Sequence, residues 1–247
     1  MTAVLPVVLI HGIRLSGTSW AVVTDQLGAE RPVRAVDLPG HGARRGERFT
    51  LTTAVDAVLD AIDELGGRAI VVGHSLGGYV GIATAARAPE RVAGLVVAGS
   101  SCVPNQILAT PFRVMHRVLS RQPDGGEEVS GRQFERVLPA SVAAAVIRGG
   151  IATEVIPDVV GALGEFEVLT ALGDYPGPVW LINGGHDHFR IHERRFLAAC
   201  AQGRLLTIPR AGHYLPLAQP ATFTRLVRDA AAAIESRHDD RPATTTD

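Results

Sequence analysis

Hydrophobic and polar positions alternate between two textures along the chain. Short, near-continuous apolar runs rich in Val, Ile and Leu fall at 7–10, 33–36, 69–72, 95–98, 179–182 and 205–208. A strand covered on both faces has this pattern, because neither side of its pleat meets water. Between them lie segments with helical spacing at 18–27, 52–65, 76–88, 191–201 and 222–234. Strand–helix alternation implies right-handed crossovers and a parallel sheet. The fold class is therefore α/β: a doubly wound, mainly parallel sheet of about six strands.

The rhythm breaks once. From 104 to 173 no strand pattern appears, and apolar residues recur at helical spacing over 108–119, 133–138, 142–147 and 155–163. The expected organisation is a core of residues 1–103 and 174–236 with a helical lid, 104–173, inserted after the fourth strand. The polar tail at 237–247, with Pro242 and three threonines, is expected to be disordered.

One segment carries a chemical signal. Gly73-His74-Ser75-Leu76-Gly77-Gly78 follows an apolar strand and opens a helix. In G-x-S-x-G at such a turn, the glycines let strand and helix pack closely while the backbone lifts the serine above the sheet. Ser75 is the candidate nucleophile. The N–H of Leu76, at the start of the helix, is a candidate donor to an oxyanion.

A serine nucleophile needs a base, and the base an orienting acid. His213, in Gly212-His213-Tyr214, follows the last strand and is the candidate base. Asp187 ends the loop after the fifth strand, Asn183-Gly184-Gly185-His186-Asp187, and is the candidate acid. The loop after the fourth strand, Gly99-Ser100-Ser101-Cys102-Val103, offers no acid, and Asp174 stands at the wrong end of its strand. The second oxyanion donor is expected from the first strand–helix loop, His11-Gly12-Ile13-Arg14. Ile13 is the choice and Arg14 the alternative. Arg14 has a second possible use, pairing with a substrate carboxylate. Trp20 is expected near the pocket floor, and His11 and His74 are expected to support the site through hydrogen bonds. Phe112, Met115, Phe134 and Phe166 are the large apolar residues of the insertion from which a substrate pocket would be built.

Composition narrows the chemistry. The chain has 247 residues and 24 basic residues, all of them arginine. Without lysine it has no Walker-type phosphate loop, no pyridoxal Schiff base and no Ser–Lys acyl transfer. A net charge of −1 gives no field to attract nucleic acid or an anionic membrane. No apolar stretch reaches the roughly 18–20 residues that cross a bilayer. The first apolar run lacks a basic leader and reads as a strand. Two distant cysteines, Cys102 and Cys200, suit a reduced, cytoplasmic protein. His186, Asp187, His188 and His192 match no metal-ligand spacing, so neither metal nor cofactor is expected. A chain of this length buries roughly 70–75% of its unfolded surface and needs no staples.

At these residues the sequence resembles the α/β-hydrolase fold superfamily, in particular its small single-domain esterase, haloperoxidase-like and hydroxynitrile-lyase-like members. The resemblance rests on Val8-Leu9-Ile10-His11-Gly12, Asp37-Leu38-Pro39-Gly40-His41-Gly42, Val72 through Gly78, Pro89-Glu90-Arg91-Val92, Asn183 through Asp187, and Gly212-His213. It implies a Ser75–Asp187–His213 triad in the family's chain order. The family commonly opens with two antiparallel strands, but too few residues precede the first strand here. The expected sheet is six parallel strands in the order 2-1-3-4-5-6. Serine as nucleophile argues against the epoxide hydrolases and haloalkane dehalogenases of the superfamily, and against its dienelactone hydrolases. The implied activity is hydrolysis of a small to medium hydrophobic ester, lactone or thioester through an acyl-enzyme. The alternatives are C–C cleavage, lyase or cyclisation chemistry with the same triad, or a ligand-binding receptor on this fold. The partner is a small molecule, and the sequence leaves oligomeric state open.

Overall fold

The computed structural model describes residues 4–239, with side chains to residue 236. The predicted tail from 240 onward lies outside the described residues. The first half of the chain runs β1 (Val7–Ile10), α1 (Ala21–Gly28), β2 (Val33–Val36), α2 (Leu51–Glu64), β3 (Ala69–His74), α3 (Leu76–Arg87) and β4 (Val92–Ala98). Five helices follow: α4 (Gln106–Leu119), α5 (Glu127–Val137), α6 (Ala140–Arg148), α7 (Ile156–Gly164) and α8 (Val168–Asp174). The chain then returns through β5 (Pro178–Gly184), α9 (Glu193–Ala199), β6 (Gln202–Ile208), α10 (Leu215–Ala218) and α11 (Pro220–Asp239).

The six strands form one sheet in the order β2-β1-β3-β4-β5-β6, and every adjacent pair is parallel. Order and direction match expectation. Alternate side chains feed two cores, as the pleat demands. Val8, Ile10, Val71, Leu95, Val97 and Leu181 pack with residues of α2, α3, α8 and α9. Val7, Leu9, Val72, Val96 and Ile182 pack with residues of α1 and α11. Each fully buried aliphatic side chain contributes roughly 1.5–3 kcal/mol of transfer free energy, so these rows dominate the stability of the sheet.

Local signals fix the helix starts. Thr50 caps α2 in a reciprocal pair: its hydroxyl accepts from Thr53 N–H at 3.1 Å, and the Thr53 hydroxyl accepts from Thr50 N–H at 3.2 Å. Asn105 opens α4, its side-chain oxygen accepting from the N–H groups of Ile107 and Leu108, both at 2.9 Å. α4 packs on α7 and α5 on α6. Val142 and Val146 of α6 join Phe134 of α5, Leu15 of the first loop and Leu217 of α10 in a third apolar cluster.

Boundaries differ from expectation in physically simple ways. The segment predicted helical from 18 starts as a tight 3-10 turn, Gly17–Trp20, and becomes α1 at Ala21. α11 starts at Pro220, a residue suited to a first helical turn, and continues to Asp239. It thereby takes up residues 237–239, which the sequence pattern places in the polar tail. α8 and α10 are not expected from the sequence pattern. α10, four residues long, spans too little chain for the 3.6 period to register.

Candidate functional site

Ser75 sits between the end of β3 and the start of α3, with φ +52° and ψ −115°. That conformation is strained for a residue with a side chain and costs on the order of 1–3 kcal/mol. The surroundings hold it there. Ser75 N–H donates to Ala98 C=O at 2.9 Å, and its carbonyl accepts from Gly78 N–H at 2.9 Å and from the Ser100 hydroxyl at 2.7 Å. The flanking glycines are needed for space. A Cβ on Gly73 would stand 2.1 Å from Gly77 C=O, and one on Gly77 would stand 2.1 Å from Ile10 C=O. Helix α3 is thus pressed directly onto the ends of β1 and β3.

The three residues picked from the sequence come together at the carboxyl edge of the sheet. His213 Nε2 lies 3.1 Å from Ser75 Oγ. Its Nδ1 lies 3.1 Å from Asp187 Oδ2 and 3.2 Å from Oδ1. Since a carboxylate accepts, Nδ1 carries the proton in the neutral ring and Nε2 is left to accept from the serine hydroxyl. Asp187 Oδ1 also accepts from Phe189 N–H at 2.8 Å. Burial pushes the Asp187 carboxyl up, but the His213 ring and the Phe189 N–H outweigh it and hold the group below its ordinary range. Gly99, at φ +62°, passes beneath both groups: a Cβ there would lie 3.0 Å from Asp187 Oδ2 and 3.1 Å from His213 Nδ1.

Two buried histidines brace this edge. His74 Nε2–H donates to the His213 carbonyl at 2.9 Å, and burial lowers its pKa to about 3. His11 Nδ1–H donates to Gly12 C=O at 2.8 Å while its Nε2 accepts from Leu38 N–H at 3.1 Å, joining the ends of β1 and β2. Burial holds His11 well below the usual range as well. Both rings are therefore neutral at ordinary pH, so neither places a second cation beside His213.

Two cavities flank Ser75. One, about 70 Å³, is lined by Ile13, Leu76 and Cys102 with Leu108, Phe112 and Leu163 of the inserted helices. The other, about 280 Å³, is lined by Arg14, His74, Met115, Phe134, His213 and Tyr214 among others. Phe112, Met115, Phe134, His74, Arg14, Ile13 and Leu76 thus line one or both of the cavities that Ser75 borders. Trp20 and Phe166 line neither cavity, which corrects their expected part in substrate binding. Trp20 is 1% exposed and packs in the core against Phe223. Its ring also meets that of His74 edge-on, 6.5 Å between centroids, so it stands behind a residue of the cavity wall. Phe166 packs against the opposite core.

Phe189 and Tyr214, not expected at the site from the sequence, have rings 4.6 Å and 5.4 Å from that of His213. Their positions close after Asp187 and beside His213 were the available signal. Among the described residues no group of three His, Cys, Asp or Glu side chains is placed to hold a metal ion. His192 Nδ1 accepts from Val103 N–H at 2.9 Å. No helix among the described residues is long and apolar enough to cross a membrane.

The profile described as "Alpha/beta hydrolase family" matches residues 7–226. Over 39% of its length the chain is 41% identical to the dihydrolipoyllysine-residue acetyltransferase component of the acetoin cleaving system of Pseudomonas putida, matching 27% of that protein. Over 92% of its length it is 28% identical to the pimeloyl-(acyl-carrier protein) methyl ester esterase of Neisseria meningitidis, matching 93% of that protein. The matches cover 27%, 36% and 64% of the first three curated relatives. Among solved structures, a thermophilic esterase from Thermogutta terrifontis superimposes with a TM-score of 0.75 at 24% identity, covering 94% of this chain and 90% of the other.

Proposed function

Since the chain belongs to the alpha/beta hydrolase family, we propose that it is a serine hydrolase that cleaves a small to medium, largely hydrophobic carboxylic ester, lactone or thioester through an acyl-enzyme. The observation that carries this is the unbroken hydroxyl–imidazole–carboxylate chain, with successive contacts of 3.1 Å. The pimeloyl-(acyl-carrier protein) methyl ester esterases among its relatives favour an ester over other acyl compounds.

In the proposed mechanism His213 Nε2 takes the Ser75 proton as Oγ attacks the carbonyl carbon. The N–H groups of Leu76 and Ile13, which line the cavity beside Ser75, hold the oxyanion. The protonated His213 then gives its proton to the leaving alcohol or thiol. Water, deprotonated by the same nitrogen, releases the acid and restores Ser75. Asp187 keeps the Nδ1–H tautomer and stabilises the imidazolium. The inserted segment, 104–173, acts as a lid. Leu108 and Phe112 of α4 and Leu163 of α7, which line the smaller cavity, support this, as does the apolar character it gives the site. We place the substrate among small molecules and the protein in the cytoplasm, where its free Cys102 and Cys200 stay reduced.

The test is turnover of a p-nitrophenyl ester series. Ser75→Ala should keep the wild-type unfolding curve and lose at least about 10⁴-fold in kcat. Undiminished activity in that variant rejects the proposal.

A further inference from the structure

Arg14 has no part in the proposed acyl transfer, yet it is only 8% exposed and lines the larger cavity beside Ser75 and His213. It holds φ +70°, a costly conformation for a residue with a side chain. Its guanidinium meets only neutral groups. One terminal nitrogen donates to Ser130 Oγ at 2.5 Å and Thr153 Oγ1 at 3.2 Å. The other reaches the Met115 sulfur at 3.5 Å, a weak acceptor that itself lines the cavity. Nε is buried without a partner. Among the described residues Arg14 forms no ion pair.

The acids that might neutralise it are engaged elsewhere. Glu127 and Glu154 both pair with Arg45, the latter at 2.5 Å. A buried cation with only neutral partners is costly to desolvate, and the cost falls when an anion is bound against it. The guanidinium still carries unfilled donors, and such donors match a carboxylate in geometry and charge. Burial lowers the Arg14 pKa, with Tyr214, Glu127 and Glu154 opposing the shift. A guanidinium starts so far above neutrality that the group remains a cation at any pH where the protein works.

Both cavities are walled mainly by aliphatic and aromatic side chains, and Ser75 borders both. They differ in the arginine each holds: Arg113, at the smaller, is exposed and donates to the Gln106 side chain, whereas Arg14, at the larger, is buried. We infer that the substrate is an ester or lactone carrying a free carboxylate on the arm that enters the Arg14 cavity, with an apolar arm in the smaller one. This rests on the serine-hydrolase reading and narrows its substrate class.

The experiment compares monoethyl glutarate with diethyl glutarate, and monoethyl with diethyl adipate, in wild type, Arg14→Gln and Arg14→Lys. The expected result is a higher kcat/KM for the monoester in wild type. In Arg14→Gln the monoester-to-diester ratio should fall about tenfold to a hundredfold, mainly through KM, with partial recovery in Arg14→Lys, which keeps the charge. If Arg14 only ties the first loop to Ser130 and Thr153, both substrates fall together and the ratio stands still; that outcome overturns the inference. So does a wild type that prefers the diester in both pairs, which decides the matter even if Arg14→Gln fails to fold. Calorimetric titration of Ser75→Ala with the same four compounds reads the preference without turnover. Equal binding of monoester and diester there also overturns the inference. Diester hydrolysis that survives in Ser75→Ala defeats the serine-hydrolase reading instead, leaving the carboxylate preference to be judged by the ratio.

Discussion

At the scale of single residues, the site depends on which atom of each side chain faces which partner. Asp187 holds the His213 Nδ1 proton at 3.1 Å, and this is what leaves Nε2 basic toward Ser75. Asp187→Asn reverses the donor at that contact and favours the wrong tautomer. We expect kcat to fall about 10⁴-fold with KM little changed, since ground-state binding does not pass through this contact. Steady-state kinetics with an aryl ester check this, and a variant within tenfold of wild type argues for a different base. These residues were legible in the sequence because each follows a strand end beside glycine, and around Ser75 the glycine spacing has a steric reason. Gly73 and Gly77 leave no room for a methyl group. Arg14, Phe189 and Tyr214 were harder to place. What an arginine or aromatic residue faces depends on neighbours more than a hundred residues away, such as Ser130 and Thr153, and no local pattern encodes them.

At the scale of elements, α3 is the part on which the site is mounted. Its first turn presses on the carbonyl of Ile10, so Gly77→Ala forces the helix and the end of β1 apart. Overpacking of this kind costs about 1–3 kcal/mol, and more where backbone must move. The melting temperature should drop by at least about 3 °C, with activity lost as Ser75 shifts. Gly161, inside α7, is the contrast: nothing lies within 4 Å of a Cβ placed there. Gly161→Ala should match or exceed wild type in Tm, because alanine is the better helix former. Equal Tm losses in both variants would mean that the close approach of α3 is not what makes Gly77 necessary. The strands and long helices were readable from their periods, whereas α10, at four residues, was too short to show one. The helices between β4 and β5 were visible as a break in alternation, but their packing on one another was not.

At the scale of the whole molecule, acid should unfold the protein through its buried histidines. His41 is lowered to about 4 and His74 to about 3, with burial the leading cause in each, and His11 lies well below the usual value of 6.5. In the unfolded chain all three take up protons near pH 6.5, while in the native state they resist. The unfolded state therefore binds more protons over this window. Stability is complete above about pH 6.5 and falls as pH drops toward 4. Each histidine contributes up to about 1.4 kcal/mol per pH unit, so the three together approach about 4 kcal/mol per unit near pH 5. Urea unfolding at pH 7, 6 and 5 checks this: the midpoint should decline steeply, and a flat profile would show that the three rings are charged in the native protein. That the sheet is parallel was predictable because strands and helices alternate, whereas its order, β2-β1-β3-β4-β5-β6, was implied by the resemblance to the α/β-hydrolase fold. Which strand residues meet which helix was fixed by packing and had to be observed.

The most direct measurement is the site of covalent attack by a fluorophosphonate. Wild-type protein incubated with the probe, digested and mapped by mass spectrometry should carry one adduct, on the Ser75 hydroxyl. The rate of labelling should collapse in His213→Ala. An adduct on any other residue, or labelling of Ser75 at the same rate without the imidazole of His213, would contradict the account.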